Sequence, residues 1–283
     1  MIKIIECPRD AMQGLHDFIP TETKVVYINQ LLKVGFDTID FGSFVSPKAI
    51  PQLRDTANVL NQLDLSTTKS KLLAIIANTR GAEDAVKFEE ISYLGFPFSI
   101  SETFQQRNTN SSLAQSLKSV EEIQTLCVNH NKKLVVYISM AFGNPYGDTW
   151  NSNIVIDWTK KLADLGIEII ALSDTIGVSN HENISYLFKN IIPEFATVEI
   201  GAHLHTTPTT WMEKVDAAYQ NGCRRFDGAI KGFGGCPMAT DKLTGNMPTE
   251  NLISYFTENK INTTINQEEF NTALIKAVQV FPH

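Results

Sequence analysis

The sequence predicts a (β/α)8 barrel with extra C-terminal helices, and three observations carry that fold class. Eight short apolar runs, most of them rich in Ile and Val, alternate with longer segments of helical spacing, as expected for strands buried on both faces. The chain has 283 residues, so eight units give a repeat of roughly 30–35, and a single barrel is typically about 250 residues long. No Gly-x-Gly-x-x-Gly follows the first run, which leaves a doubly wound dinucleotide-binding sheet without its signature.

Taken in order, the expected strands are Lys3 to Glu6, Thr38 to Gly42, Lys71 to Ala77, Pro97 to Ile100, Leu134 to Met140, Ile167 to Leu172, Val198 to His203 and Arg225 to Ala229. Between them, Thr23 to Val34 places Val26, Ile28, Leu31 and Leu32 near one helical face. Asn153 to Leu165 does the same with Val155, Trp158, Leu162 and Leu165. Gly35, Gly95, Gly166 and Gly222 each stand just before an expected strand, where a helix can stop in the left-handed conformation. Residues 1–283 read as one catalytic barrel domain, with 250–283 as a helical extension broken by the polar stretch Asn262 to Asn266.

Composition narrows the function. A formal net charge of -7 with no basic cluster argues against a nucleic-acid partner. No apolar stretch approaches the length of a membrane span. The four cysteines, Cys7, Cys127, Cys223 and Cys236, form no Cys-x-x-Cys pair and suit a reducing compartment. The N-terminal Met1 to Ile5 is too short for a signal-peptide core. A cytoplasmic protein is therefore expected, and a homodimer, since dimers are the commonest symmetric assembly.

Catalytic groups of such barrels come from the C-terminal ends of the strands. Those ends read Cys7-Pro8-Arg9-Asp10, then Asp40 and Ser43, Ser101-Glu102, Ser173-Asp174-Thr175, and His203 with His205. After the last strand comes Lys231-Gly232-Phe233-Gly234-Gly235-Cys236-Pro237, followed by Gly245-Asn246. His203 and His205 are one residue apart, so a strand points both imidazoles to one side. Taken alone, the pair reads equally well as one packed and one solvated histidine. Asp10 adds a hard oxygen donor and Asn246 a neutral carbonyl oxygen. A mixed nitrogen and oxygen set without thiolates suits Mg2+ or Mn2+. The glycine-rich run lacks the Lys-Ser/Thr of a phosphate loop and reads as a cover that closes on substrate. Cys236 is an acid–base candidate there, or a small buried apolar side chain.

These residues resemble the 3-hydroxy-3-methylglutaryl-CoA lyase family, within the metal-dependent lyase and condensing barrels. The resemblance rests on Pro8-Arg9-Asp10 with Gln13, Ser43-Phe44-Val45-Ser46-Pro47-Lys48 with Pro51-Gln52, and Ser101-Glu102 with Phe104 and Asn108. It continues through Asn144-Pro145-Tyr146, Asp174 to Val178, His203 with His205, and Gly232 to Pro237 with Gly245-Asn246. It implies a Mg2+ or Mn2+ ion held by Asp10, His203, His205 and Asn246. It implies catalytic roles for Arg9, Asp40 and Cys236, substrate contacts at Gln13, Ser43 and Thr175, and a CoA thioester substrate. The implied reaction splits 3-hydroxy-3-methylglutaryl-CoA into acetyl-CoA and acetoacetate.

The chain also departs from the family pattern. Thr206 follows His205 where Asp or Asn is usual, so an acceptor that orients a metal ligand is either missing or supplied elsewhere. Gly14-Leu15 replaces Asn-Glu, Asp40 is one methylene shorter than the usual glutamate, and Met238 replaces an aromatic. Two other functions stay open at this point. One is a condensing enzyme of the isopropylmalate or citramalate synthase type, using acetyl-CoA and a 2-oxo acid. The other is a barrel that binds a CoA thioester without turnover. The condensing enzymes usually carry Asn-Asp after His-x-His, which this chain lacks, and the lyase-type cysteine loop is present.

Overall fold

The computed structural model describes residues 1–235 and 244–281. Eight parallel strands close into a barrel: β1 (Lys3–Glu6), β2 (Thr38–Ser43), β3 (Lys71–Ile75), β4 (Ile91–Ser99), β5 (Lys133–Ser139), β6 (Ile169–Ser173), β7 (Glu199–His203) and β8 (Arg225–Gly228). Neighbours follow chain order, and β8 returns to β1 with Ile5 opposite Asp227.

Alternation sorts each strand into two faces. Outward side chains such as Ile4, Ile39 and Phe226 join the large core between strands and helices. Inward ones form a separate small cluster of Leu73, Ile75, Val135, Tyr137, Ile169 and Ala171. The barrel is therefore filled from within, and its open end is set by what stands above that plug.

The helices are α1 (Pro8–Gln13), α2 (Thr21–Val34), α3 (Thr56–Leu60), α4 (Thr79–Ala85), α5 (Glu102–Thr109), α6 (Leu113–Asn129), α7 (Ser152–Asp164), α8 (His181–Glu194), α9 (Trp211–Gln220), α10 (Thr249–Glu258) and α11 (Gln267–Val280). Side chains of Ser112, Asn151 and Asn180 accept amide hydrogen bonds at the starts of α6, α7 and α8, satisfying donors that the helix itself leaves free. None of the described helices is long and apolar enough to cross a membrane.

Two expectations are corrected. β4 begins at Ile91 rather than Pro97, and Gly95 lies inside it rather than ending a helix. The reason is space. A Cβ on Gly95 would lie 2.5 Å from Ile75 Cδ1 and 3.1 Å from both Leu73 Cδ2 and Tyr137 Cε2, so any larger residue there would force the inner plug to shift. Gly35 does end its helix in the left-handed region, with φ at 91°.

Of the C-terminal helices, α10 follows β8 and packs its Phe256 on Phe226, with ring centroids 5.4 Å apart. It takes the eighth place in the helical ring, and α11 is added beside α2. Asn266, which caps α11, donates its backbone N–H to the Val34 carbonyl at 2.7 Å. After α11, Phe281 meets Tyr27 edge-on at 5.8 Å and stacks on Phe233 at 4.7 Å. Phe233, which leads to the glycines above the barrel, thus rests on Phe281.

Candidate active site

Four strand ends converge on one polar cluster. β1 runs directly into α1, where Pro8 starts the helix with a backbone angle already suited to it. The following two residues, Arg9 and Asp10, are both buried. Arg9 donates from Nη2 to Asp40 Oδ2 at 2.5 Å, from Nε to the same oxygen at 2.9 Å, and from Nη1 to Asp10 Oδ1 at 2.9 Å and Gln13 Oε1 at 2.8 Å. Gln13 Nε2 in turn donates to Asp10 Oδ1 at 2.6 Å. The guanidinium is fixed on three sides.

β7 delivers His203. One residue later, His205–Thr206 pairs antiparallel with Gly245–Asn246, His205 standing opposite Asn246. That short ribbon brings Asn246 in from the far side of the last loop. Its Nδ2 donates to Asp10 Oδ2 at 2.6 Å and to the Phe233 carbonyl at 2.8 Å. Ligand atoms of Asp10, His203 and His205 all lie within 4.8 Å of one another, and the two imidazole centroids are 5.5 Å apart. Gly234, with φ at 85°, runs so close that a Cβ would meet the Asp10 carbonyl oxygen at 2.7 Å and Asn246 Nδ2 at 2.9 Å. Glycine is required there for both its angle and its lack of a side chain.

The charges are shaped by burial and by each other. Burial pushes the Asp40 carboxyl up to about 6 against the pull of Arg9. Burial also opposes the Asp10 charge, but Arg9 and the two histidines outweigh it and hold that carboxyl below its usual range. Burial, with His203 nearby, drives His205 down to about 4, so its imidazole is neutral at physiological pH. Its Nδ1 is buried without a hydrogen-bond partner. Burial lowers His203 as well, yet the hydrogen bond and charge of Asp227 raise it overall.

The described donor set fits a divalent cation. Two imidazoles and one anionic carboxylate supply mixed nitrogen and oxygen ligands, with the Asn246 amide turned by its Nδ2 to that carboxylate, and an orphaned buried nitrogen of His205 points to a group that would use it. A second trio, Cys7, His203 and Asp227, is equally close. Burial and the nearby carboxylates push the Cys7 thiol well up, which keeps it protonated and a poor ligand. Asp227 then serves His203 as a hydrogen-bond partner, Oδ2 to Nδ1 at 3.1 Å.

A cavity of about 410 Å³ opens beside the cluster. Arg9, Asp10, Gln13, Thr175, His203, His205 and Gly235 line it. Asp40 is not among the lining residues and reaches the site through Arg9. Ser43 is not among them either. Its hydroxyl accepts the Val45 N–H at 3.1 Å, and Val45 forms that part of the wall. Thr175 lines the cavity while its hydroxyl accepts the Met140 N–H at 2.8 Å. Asn246 stands behind Asp10. Cys236 and Met238 lie outside the described residues.

Several participants were not evident from sequence. Tyr137 lines the cavity with a buried hydroxyl that has no hydrogen-bond partner, as does Ser173, itself one of the polar strand-end residues evident in the sequence. Asp227 supplies for His203 the acceptor that Thr206 does not. Lys214 on α9 pairs with Asp174 at 2.8 Å and donates to the His205 carbonyl at 2.8 Å, holding that histidine from behind. The parity of strands β5 and β8 was the available signal, since Tyr137 and Asp227 both fall on inward positions.

Known proteins resemble the chain in both sequence and fold. The family model described as HMGL-like matches residues 2–275. The chain is 32% identical over 266 residues to a hydroxymethylglutaryl-CoA lyase of Bacillus subtilis, covering 94% of this chain and 88% of that protein. It is 31% identical over 268 residues to the human cytoplasmic 3-hydroxy-3-methylglutaryl-CoA lyase, covering 94% and 71%. The crystal structure of the Bacillus subtilis HMG-CoA lyase superimposes with a TM-score of 0.92 at 32% identity, covering 98% of this chain and 93% of that one. An Acinetobacter baumannii HMG-CoA lyase in complex with coenzyme A and 3-methylmalate gives 0.90 at 31%, covering 99% and 91%. The carboxyl transferase domain of Rhizobium etli pyruvate carboxylase shares the fold alone, at 14% identity and a TM-score of 0.72. With its barrel and nearly its whole length matched, the chain belongs to the HMGL-like family.

Proposed function

We propose that this chain is a divalent-metal-dependent carbon–carbon lyase that cleaves 3-hydroxy-3-methylglutaryl-CoA to acetyl-CoA and acetoacetate. The observation that carries the reading is the meeting of Asp10, His203 and His205 within 4.8 Å beside the Arg9 guanidinium, at the wall of the cavity. Asp10, His203, His205 and Asn246 are the residues that would hold Mg2+ or Mn2+. When bound, the ion supplies Lewis-acid polarisation of the substrate's C3 hydroxyl and an adjacent oxygen, easing loss of the hydroxyl proton.

The remaining work falls to side chains. As the C3 hydroxyl proton passes to solvent, the C2–C3 bond breaks, C3 becomes the ketone of acetoacetate, and the bonding pair passes through C2 to the thioester oxygen. Arg9, already oriented by Asp40, Asp10 and Gln13, stabilises that developing negative charge without reorganising. Asp40 acts by orienting Arg9. The C2 carbanion equivalent then takes a proton to give acetyl-CoA, and Cys236 is the proposed donor. Thr175 and Gln13 stand at the cavity wall to position the acyl group, with Ser43 supporting the wall through Val45.

The reading includes a reducing, cytoplasmic setting, supported by the buried free thiols of Cys7, Cys127 and Cys223, and a homodimer. Purified protein given Mg2+ or Mn2+ and 3-hydroxy-3-methylglutaryl-CoA should release acetoacetate and acetyl-CoA in equal amounts, and lose that activity with a chelator. Condensation of acetyl-CoA with a 2-oxo acid, or no turnover by metal-loaded protein, would refute the proposal.

A further inference from the structure

The loop between β8 and α10 brings Gly235 to the cavity wall on its way out, and its two arms set Gly234 and Asn246 against Asp10. Its two stems are gripped by one carboxyl group that the proposed reaction does not use. Glu6, the last residue of β1, is fully buried at 0% exposure. It points outward from the barrel wall, as Ile4 does, into the layer between strands and helices. Its Oε1 accepts the Ile230 N–H at 2.9 Å, and its Oε2 accepts the Thr249 hydroxyl at 2.6 Å. Ile230 opens the outgoing stem and Thr249 closes the returning one. Backbone bonds from Ala229 N–H to the Met247 carbonyl at 2.9 Å and from Thr249 N–H to the Ala229 carbonyl at 3.2 Å join the stems to each other. Among the described residues, Glu6 alone ties both, through its side chain, to the strand that continues into Arg9 and Asp10. Burial lifts its carboxyl to about 8, so at neutral pH the acid is mainly uncharged and its own proton lies on the 2.6 Å contact with the Thr249 hydroxyl. The titratable groups facing it are Glu250 from α10 and Tyr27 from α2.

We propose that Glu6 is a positioning residue that sets how Asn246 and the glycine arm meet Asp10. The inference rests on reading Asp10, His203 and His205 as a metal centre. Glutamine would keep the grip, its oxygen accepting from Ile230 and its amide donating to the Thr249 hydroxyl. Alanine would abolish it and leave a buried N–H unpaired.

The test is Mn2+ titration of the purified full-length protein, read as free Mn2+ by electron paramagnetic resonance, with kcat and KM measured in parallel. Glu6→Ala should weaken Mn2+ binding by about 10-fold, as expected when support behind a ligand is lost, and raise KM more than it lowers kcat. Glu6→Gln should stay within about twofold of the parent. Hydrogen exchange should quicken in residues 229–234 and 245–249 of Glu6→Ala while the other strands stay protected. A folded Glu6→Ala with parental Mn2+ affinity, or Glu6→Gln as impaired as Glu6→Ala, overturns the assignment. If Glu6→Ala does not fold, Thr249→Val, which removes one side of the grip, decides it: intermediate Mn2+ affinity and faster stem exchange support it, and parental values overturn it. A parent protein that binds no Mn2+ overturns the metal-centre reading itself, a result distinct from equal binding by parent and variant.

Discussion

Asp227 Oδ2 lies 3.1 Å from His203 Nδ1, joining the eighth strand to the seventh inside the barrel. The bond fixes the orientation of the ring and leaves Nε2 as the nitrogen for a cation. Asp227→Asn should therefore reduce Mn2+ affinity by about 10-fold or more while far-UV circular dichroism stays unchanged. Parental affinity in the titration would remove Asp227 from this role.

Arg9 touches Asp10 but is itself no donor to a cation. Arg9→Gln should leave Mn2+ binding close to parental and lower turnover by about 10²–10⁴, the loss expected when a contact to developing charge is removed. Metal titration and steady-state rates on one preparation check both halves. Equal loss of metal would make Arg9 a structural support of Asp10.

Stability should depend on pH through Glu6. The folded state holds its proton up to about 8, whereas the unfolded chain releases it near the ordinary value of 4.5. Across that window the folded state binds more protons, so this contribution to stability falls as pH rises, by at most about 1.4 kcal/mol per unit. His205 works in the opposite sense, but only between its ordinary 6.5 and about 4. His203, lowered by burial but raised overall by Asp227, works in the same sense as Glu6 above 6.5, so urea unfolding of metal-free protein at pH 6.5 and pH 8 is read as the difference between the parent and Glu6→Gln, in which the histidines cancel. Glu6→Gln should gain on the parent by up to about 2 kcal/mol between those pH values; a constant difference would contradict the assignment.

Gly95 gives room to Ile75 and Tyr137, both of which line the cavity. Gly95→Ala should push one of them into that space. The expected result is a raised KM with a stability loss of about 1–3 kcal/mol, measured by kinetics and urea unfolding. An unaltered KM would show that the plug yields downward, away from the cavity.

Cys7, Cys127 and Cys223 are buried, so a thiol reagent on native protein tests Cys236 with little competition. Labelling should abolish activity, and substrate should protect. Full activity after labelling verified by mass spectrometry would take Cys236 out of the proton transfer.

Residues that act through short-range pattern were readable in the sequence. His203 and His205 share a face because a strand alternates, and Arg9 and Asp10 declare themselves by following an apolar run at once. Gly95 was misread because a glycine before an apolar run looks the same whether it ends a helix or makes room inside a strand. Pro97 reinforced the error by suggesting a strand start. Asp227, Lys214 and Glu6 stayed hidden because their partners are distant: Asp227 bonds a residue 24 positions away, and Glu6 reaches Ile230 across 224. No local spacing encodes such pairs; only closure of the barrel creates them.

The ring of Phe281 stacks on Phe233 and meets Tyr27 edge-on, so three aromatic rings link the outer helices to the stretch that sets Gly234 against Asp10. The polar cluster thereby inherits part of its rigidity from the shell, through contacts that carry no charge and make no hydrogen bond.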